Sequence, residues 1–330
     1  MTTAAIDDQL YYTRCPAPTA TGLATGLDLL AGPLSERGVT TTALQDVDDP
    51  ELRKRHFDHG ITNLIREGGN IPAIWARSTG APTRLIGITW LDEYQAVVTS
   101  ESAAPRAISD LAGGRVAVVR GSTPLIDVGR ASSVRGVQQA LSTAGLSLDD
   151  VELVDTTRGA SWGGGEHFDA ELELLADGKV DAVWLKGAAG VRAVRELGLR
   201  ELLRIDRLAD PLRRVNNGTP RTLTVRQELV DERPELVRTY LRTVSDAYSR
   251  VSGDRAALWR ALASETYQSA EDAEIAYAEV HSSSLVPSLS PDRIAALQDQ
   301  ADFLHRHGFI PAPVDVAAWS LDLHLVSAIG

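Results

Sequence analysis

Apolar and polar positions along this chain alternate between short strand-like runs and longer helical ones. LYYTRC, residues 10–15, is a short strand candidate, and TATGLATGLDLLAGPLSERG, residues 19–38, reads as one helix ending near Gly38. VTTTALQD returns to strand character. DDPELRKRHFDHG predicts a short polar helix with Asp48 or Asp49 as its cap and Pro50 in its first turn. In REGGNIPAIWARS, Gly68 and Gly69 end one segment, and a further helix starts at Asn70 or at Ile71-Pro72. RLIGITWL and EYQAVVTSES have strand character with no tight two-residue turn between them.

After ISDLAGG the pattern restarts. RVAVVRG is a near-continuous apolar run, as expected for a strand buried on both faces. A helix through SVRGVQQALSTAGL, the strand VELVDT, a helix through FDAELELLADG and the strand VDAVWL follow. RTLTVRQELV then predicts a strand returning to the first set, before a mostly helical last third. There Leu236, Tyr240, Leu241, Val244 and Tyr248 recur at helical spacing and mark a face packed on the body. Strand and helix in alternation predict an α/β protein with much of its sheet parallel. The predicted lobes are residues 1–100 with 218–330, and residues 101–217. A chain that runs from one lobe to a second and back is threaded like a two-lobed periplasmic solute-binding protein of type II, whose ligand lies in a central cleft near strand ends.

Composition narrows the partners. With 45 acidic against 33 basic residues, the net charge is −12, and no basic stripe interleaved with aromatics is present, so a nucleic-acid partner is not expected. No run of about 18 apolar residues exists to span a membrane. The first residues, MTTAAIDDQLYYTRC, contain neither a basic nor an apolar export region, so the expected location is cytoplasmic. Oligomeric state is not specified by the pattern, and a monomer is the working expectation.

The candidate chemistry is sparse. Seven histidines (His56, His59, His167, His281, His305, His307 and His324) form no HEXXH spacing, and a chain with one cysteine has no CXXC, so no metal site is expected. GASWGGGEHF places three glycines before a helix but matches neither GxGxxG nor a P-loop. It reads as a connection lining the cleft, with Trp162 and His167 within it as candidate ligand contacts. No GxSxG elbow occurs. Cys15 is therefore the one soft nucleophile, set at a strand end and followed by Pro16 and Pro18. Position alone leaves it open whether this cysteine is core filler or a reagent.

RHFDHGITNLIREGGNIP, residues 55–72, is the second informative stretch, in a region of weak secondary-structure signal. Arg66 offers a planar fork for a two-oxygen anion, and Gly68 and Gly69 allow close approach of backbone N–H groups. His56 could tune a thiol or carry a proton. Read structurally instead, the same residues are a solvated charge and a helix terminator.

YTRCPAPTA, the later His56-Phe57 pair and the R-x-G-G-x-I-P run from Arg66 resemble the 2'-hydroxybiphenyl-2-sulfinate desulfinases. The resemblance continues through RLIGIT, DLAGGRVAV, LDDVELV, DGKVDAV, TVRQELVDERPELV and FLHRHGFIPAPVDVAAW, over nearly the whole chain. It implies a cofactor-independent enzyme on the solute-binding fold that cleaves a C–S bond and releases sulfite. It also implies Cys15 as catalytic thiol, Arg66 and backbone at Gly69 gripping the sulfinate, and His56 on a segment that closes over the substrate. Whether the thiol attacks sulfur or protonates the ipso carbon stays open. Three features depart from the family. Arg14 stands where it has a small polar residue, STPLIDVGRASSVRG is shorter, and Trp184 and Lys186 stand where it is richer in aromatics. These departures place Arg14, Trp184 and Lys186 among the expected substrate contacts and imply a smaller or more polar sulfinate. A non-catalytic carrier of a sulfonate-like anion and another C–X lyase on the same scaffold are the alternatives.

Overall fold

The computed structural model describes residues 8–120, 125–157, 168–262, 265, 269–278, 280 and 282–323. It divides into two units, each with its own five-stranded sheet. The first comprises the described residues of Met1–Leu91, Gly218–Glu265 and Val280–Gly330. Its strands are β1 (Gln9–Tyr12), β2 (Thr40–Ala43), β3 (Leu64–Gly69), β4 (Thr83–Thr89) and β10 (Arg221–Arg226), in the order β2-β1-β3-β10-β4. β1 is parallel to β2 and β3, whereas β10 is antiparallel to both β3 and β4. In that register Arg221 stands opposite Gly69, and Thr224 opposite Arg66.

The helix expected over residues 19–38 is two helices, α1 (Ala20–Gly26) and α2 (Ala31–Ser35). The break has a backbone cause, because Asp28 sits in the left-handed region at φ 55° and ends the turn. Gly26 is required by packing: a Cβ there would lie 2.1 Å from the Ala261 carbonyl oxygen in α10 (Arg255–Leu262). α3 (Pro50–Lys54) follows the expected cap, with Asp49 accepting from the Glu51 N–H. α4 (Asn70–Ser78) starts directly after β3. Leu10, Leu64, Ile65, Ile71, Ile74, Leu85 and Leu223 fill the core around the sheet. α9 (Pro234–Val251) buries Leu236, Tyr240, Leu241 and Val244 on the face its spacing marks, and Tyr240 shares a 2.7 Å hydrogen bond with Thr21.

The second unit comprises the described residues of Asp92–Asn217 and Thr266–Glu279. Its strands are β5 (Gln95–Thr99), β6 (Arg115–Arg120), β7 (Glu152–Thr157), β8 (Ala182–Lys186) and β9 (Arg200–Arg204), in the order β7-β6-β8-β5-β9. α5 (Val128–Ser142), α6 (Asp169–Ala176) and α7 (Gly187–Leu197) connect them. Two boundaries differ from the sequence expectation. β5 belongs here because it pairs antiparallel with β8 and β9. The late segment carrying α11 (Ala270–Ala276) also belongs here. It is held by Arg195, whose Nη1 is 3.1 Å from Glu271 and 3.0 Å from Asp272, and by the Tyr94 N–H donating to the Ala276 carbonyl. Among the described residues no helix is long and apolar enough to cross a membrane.

Candidate active site

Cys15 lies three residues beyond β1, and side chains hold the chain where strand pairing stops. The Thr13 hydroxyl donates to the Glu67 carbonyl at 2.7 Å and accepts from the Glu67 N–H at 2.9 Å, standing in for a strand partner. The Gln45 carboxamide does the same for Arg14, accepting its N–H at 2.8 Å and donating to its carbonyl. The Ala17 N–H then closes a tight turn onto the Cys15 carbonyl at 2.7 Å, across Pro16. Thr19 caps α1. Cys15 is left half-buried with a free thiol.

Facing it is β3, whose sequence LIREGG has no apolar alternation yet is buried along its whole length. Side chains alternate across a strand, so Arg66 and Glu67 project to opposite faces. Glu67 takes the N–H groups of Ala20 and Thr21 at 3.1 and 2.7 Å, and the Thr89 hydroxyl at 3.2 Å. Burial pushes this carboxyl above its usual range, while those donors oppose the shift. The α1 N-terminus is thereby satisfied from within the protein.

Arg66 is 4% exposed; its Nη1 donates to the Gly69 carbonyl at 3.1 Å, and its Nε has no hydrogen-bond partner among the described residues. Burial lowers the guanidinium to about 10, Cys15 opposes the shift and Arg221 adds to it. Arg221, equally buried, enters from the first position of β10, and its Nη1 donates to the Cys15 sulfur at 3.0 Å. The sulfur thus sits with two buried guanidinium groups, one on each of two paired strands.

Sequence reasoning missed Arg221 and Glu67. Arg221 lies 206 residues from Cys15 and heads an ordinary Thr/Leu/Val strand. The available signal was the strand pattern itself, in which Arg221 shares a face with the core residues Leu223 and Val225.

His56 is half-buried just after α3, with its ring centroid 4.0 Å from that of Phe57. Burial and the Arg66 charge lower it to about 4, against the backbone bond between its Nδ1 and the Arg53 carbonyl. A carbonyl only accepts, so Nδ1 carries the hydrogen and Nε2 the lone pair. His59, fully buried, contacts Thr224 through Nε2 at 2.8 Å and is lowered by burial, then by Arg66, His56 and Arg226. Both rings are neutral in the fold and bind protons on unfolding below pH ~6.5. The unfolded state then holds more protons, so stability is expected to fall as pH drops from ~6.5 toward 4, by up to ~3 kcal/mol for His56. Urea midpoints across that window measure the slope, which His56→Gln should flatten.

The remaining expected contacts divide. Gly68 lies beside Arg66, where a Cβ would stand 3.4 Å from Nη2, and Gly69 orients the same guanidinium through its carbonyl. Arg14 places its Nε and Nη2 on the buried Glu265 carboxylate at 2.9 and 2.6 Å. Trp184 belongs to the second unit and is 4% exposed; a Cβ on Gly136 of α5 would lie 2.1 Å from its indole nitrogen. It packs between β8 and α5 in the core of that unit. Lys186, in the same unit, pairs with Glu93 at 3.2 Å. Trp162 and His167 lie outside the described residues. Among the described residues no group of three or more histidine, cysteine or acidic side chains is arranged to hold a metal ion.

Known proteins resemble this chain over most of its length. The profile of the family described as NMT1/THI5 like matches residues 70–254. The 2'-hydroxybiphenyl-2-sulfinate desulfinase of Rhodococcus erythropolis is 27% identical over 367 residues, covering 96% of this chain and 92% of that protein. The crystal structure of the desulfurization enzyme DSZB superposes with a TM-score of 0.77 at 23% identity, over 98% of this chain and 99% of that one. A cysteine-to-serine mutant of DSZB has been solved in complex with biphenyl-2-sulfinic acid. The alkanesulfonate-binding protein SsuA of Xanthomonas axonopodis pv. citri, bound to MOPS, superposes with a TM-score of 0.66 at 19% identity, over 97% of this chain and 100% of that one. The fold is that of the periplasmic solute-binding proteins.

Proposed function

Because this chain belongs to the NMT1/THI5-like family and resembles the sulfinate desulfinases along nearly all its length, we propose that it is an enzyme cleaving the C–S bond of an aryl or related sulfinate. The observation that carries the reading is the half-buried Cys15 thiol beside the buried cation of Arg66, which has no carboxylate partner among the described residues. Arg66 offers the planar fork that a sulfinate's two oxygens match. Water and the sulfinate give the arene and hydrogensulfite.

The donor on the cysteine sulfur supports its acting as the electron-pair donor. Sγ bonds to the sulfinate sulfur as the C–S bond breaks, and the carbon takes a proton. Water then cleaves the S–S bond, returning the thiol and releasing hydrogensulfite. A neutral His56, with its Nε2 lone pair free of a proton, suits the role of base toward that water.

Incubation with benzenesulfinate and 2'-hydroxybiphenyl-2-sulfinate, with sulfite measured, tests the reading; tight binding without sulfite overturns it. That second outcome is the one expected of a carrier, a reading favoured only by the likeness to SsuA.

A further inference from the structure

Cys15 is the only cysteine in the chain, and the residue after it is Pro16. Together these two facts govern what becomes of the thiol on oxidation. A sulfenic acid has two reversible exits within a chain: a disulfide with a second cysteine, or a cyclic sulfenamide with a backbone nitrogen. The first is closed because no second cysteine exists. The sulfenamide ring runs through Sγ, Cβ, Cα, the carbonyl carbon and the nitrogen of the following residue. Pro16 has no N–H to give up, so that ring cannot form. The next N–H along the chain, that of Ala17, is committed to the Cys15 carbonyl at 2.7 Å. A second, independent feature points to an anion at this sulfur. The Arg66 guanidinium is 4% exposed, its Nε has no hydrogen-bond partner among the described residues, and Cys15 is the group that opposes its loss of charge. A sulfinate on Cys15 would bring one negative charge and two oxygens to that cation, a match for its planar fork.

We propose that Cys15 is a modification site, oxidised by hydrogen peroxide to a cysteine sulfinic acid whose oxygens Arg66 holds as the protein's own ligand. The half-buried sulfur, with the Arg221 donor on it to favour the thiolate, attacks one peroxide oxygen as the O–O bond breaks. Hydroxide leaves and is protonated to water, giving the sulfenic acid. A second hydrogen peroxide repeats the step and gives the sulfinic acid and a second water. Each step takes two electrons from sulfur and reduces one peroxide. On the desulfinase reading, the product is a sulfinate seated where a substrate sulfinate binds, so oxidation removes the thiol and fills its grip at once. The modification itself does not depend on that reading.

The test treats the intact protein with hydrogen peroxide in the absence of reductant and follows whole-protein mass. A product heavier by two oxygen atoms, located to Cys15 by peptide mapping, is expected to accumulate and to survive dithiothreitol. The urea midpoint of that product should lie above that of the reduced protein by roughly 0.5 M, because a buried cation gains an anion. Arg66→Met, oxidised in the same way, should lose more than half of that rise. A product one oxygen heavier that dithiothreitol returns to the thiol overturns the proposal, as does a disulfide-linked pair of chains or passage to three oxygens with no two-oxygen plateau. So does a two-oxygen product with an unchanged or lower midpoint, or a rise of which Arg66→Met keeps half or more. Sulfite release from benzenesulfinate by the reduced protein reports separately. Its absence, with the oxidation and the stabilisation both observed, would sink the desulfinase reading alone.

Discussion

Replacing Cys15 with serine is expected to reduce sulfite release from an aryl sulfinate by at least ~10³-fold while leaving the fold in place. The two halves have different causes. Serine keeps an acceptor of similar size at the same position, so the Arg221 Nη1 bond and the turn closed by the Ala17 N–H both persist. The unfolding midpoint should move by less than the equivalent of ~1 kcal/mol. An alcohol is a far poorer nucleophile than a thiol unless a base is poised on it, and among the described residues the side-chain hydrogen bond at this position comes from Arg221. Sulfite release and urea unfolding of the same preparation measure both halves. Near-full turnover by Cys15→Ser would remove the thiol from the reaction. A large stability loss would instead mark Cys15 as a packing residue. Cys15→Ala makes a stricter control, since it leaves the Arg221 donor facing a methyl group.

What the sequence revealed depended on how locally each feature was encoded. β6 and β8, buried on both faces, are apolar runs and were legible as such. Cys15 and Arg66 stood out because each is chemically unusual in a short stretch. β3 itself was obscure, since LIREGG uses its two central positions for a buried arginine and a helix cap rather than for apolar alternation. Arg221 was invisible for a different reason. Its meaning arises only when β10 inserts antiparallel between β3 and β4, a pairing of strands some 150 residues apart that no local window contains. Arg14 has partners that no local window contains. It stands next to the thiol in sequence, with the Gln45 clamp on its backbone and its side chain on the buried Glu265. The single helix expected over residues 19–38 failed at Asp28, where a left-handed residue that is not glycine gives little local signal.

Arg66→Met should separate function from stability more sharply than any other change in the chain. The arginine is 4% exposed, carries no carboxylate partner among the described residues and shares its surroundings with a second guanidinium. Desolvation and that repulsion together lower it to about 10, so the folded state is paying to keep this cation. A methionine of comparable length relieves both costs, and the protein is expected to gain about 1 kcal/mol, read as a higher urea midpoint. On the proposed function a sulfinate would lose the fork for its oxygens, and kcat/KM is expected to fall by roughly 10²- to 10³-fold. Arg66→Lys separates charge from shape. It keeps the cation but not the bidentate geometry or the bond from Nη1 to the Gly69 carbonyl, so it should recover only a small part of the lost activity. A structural arginine would give the opposite pair of results, with stability falling and residual turnover tracking the folded fraction. Opposite signs in the two measurements would identify Arg66 as a charge retained for its ligand, because a buried cation that weakens the fold persists only where binding an anion repays it.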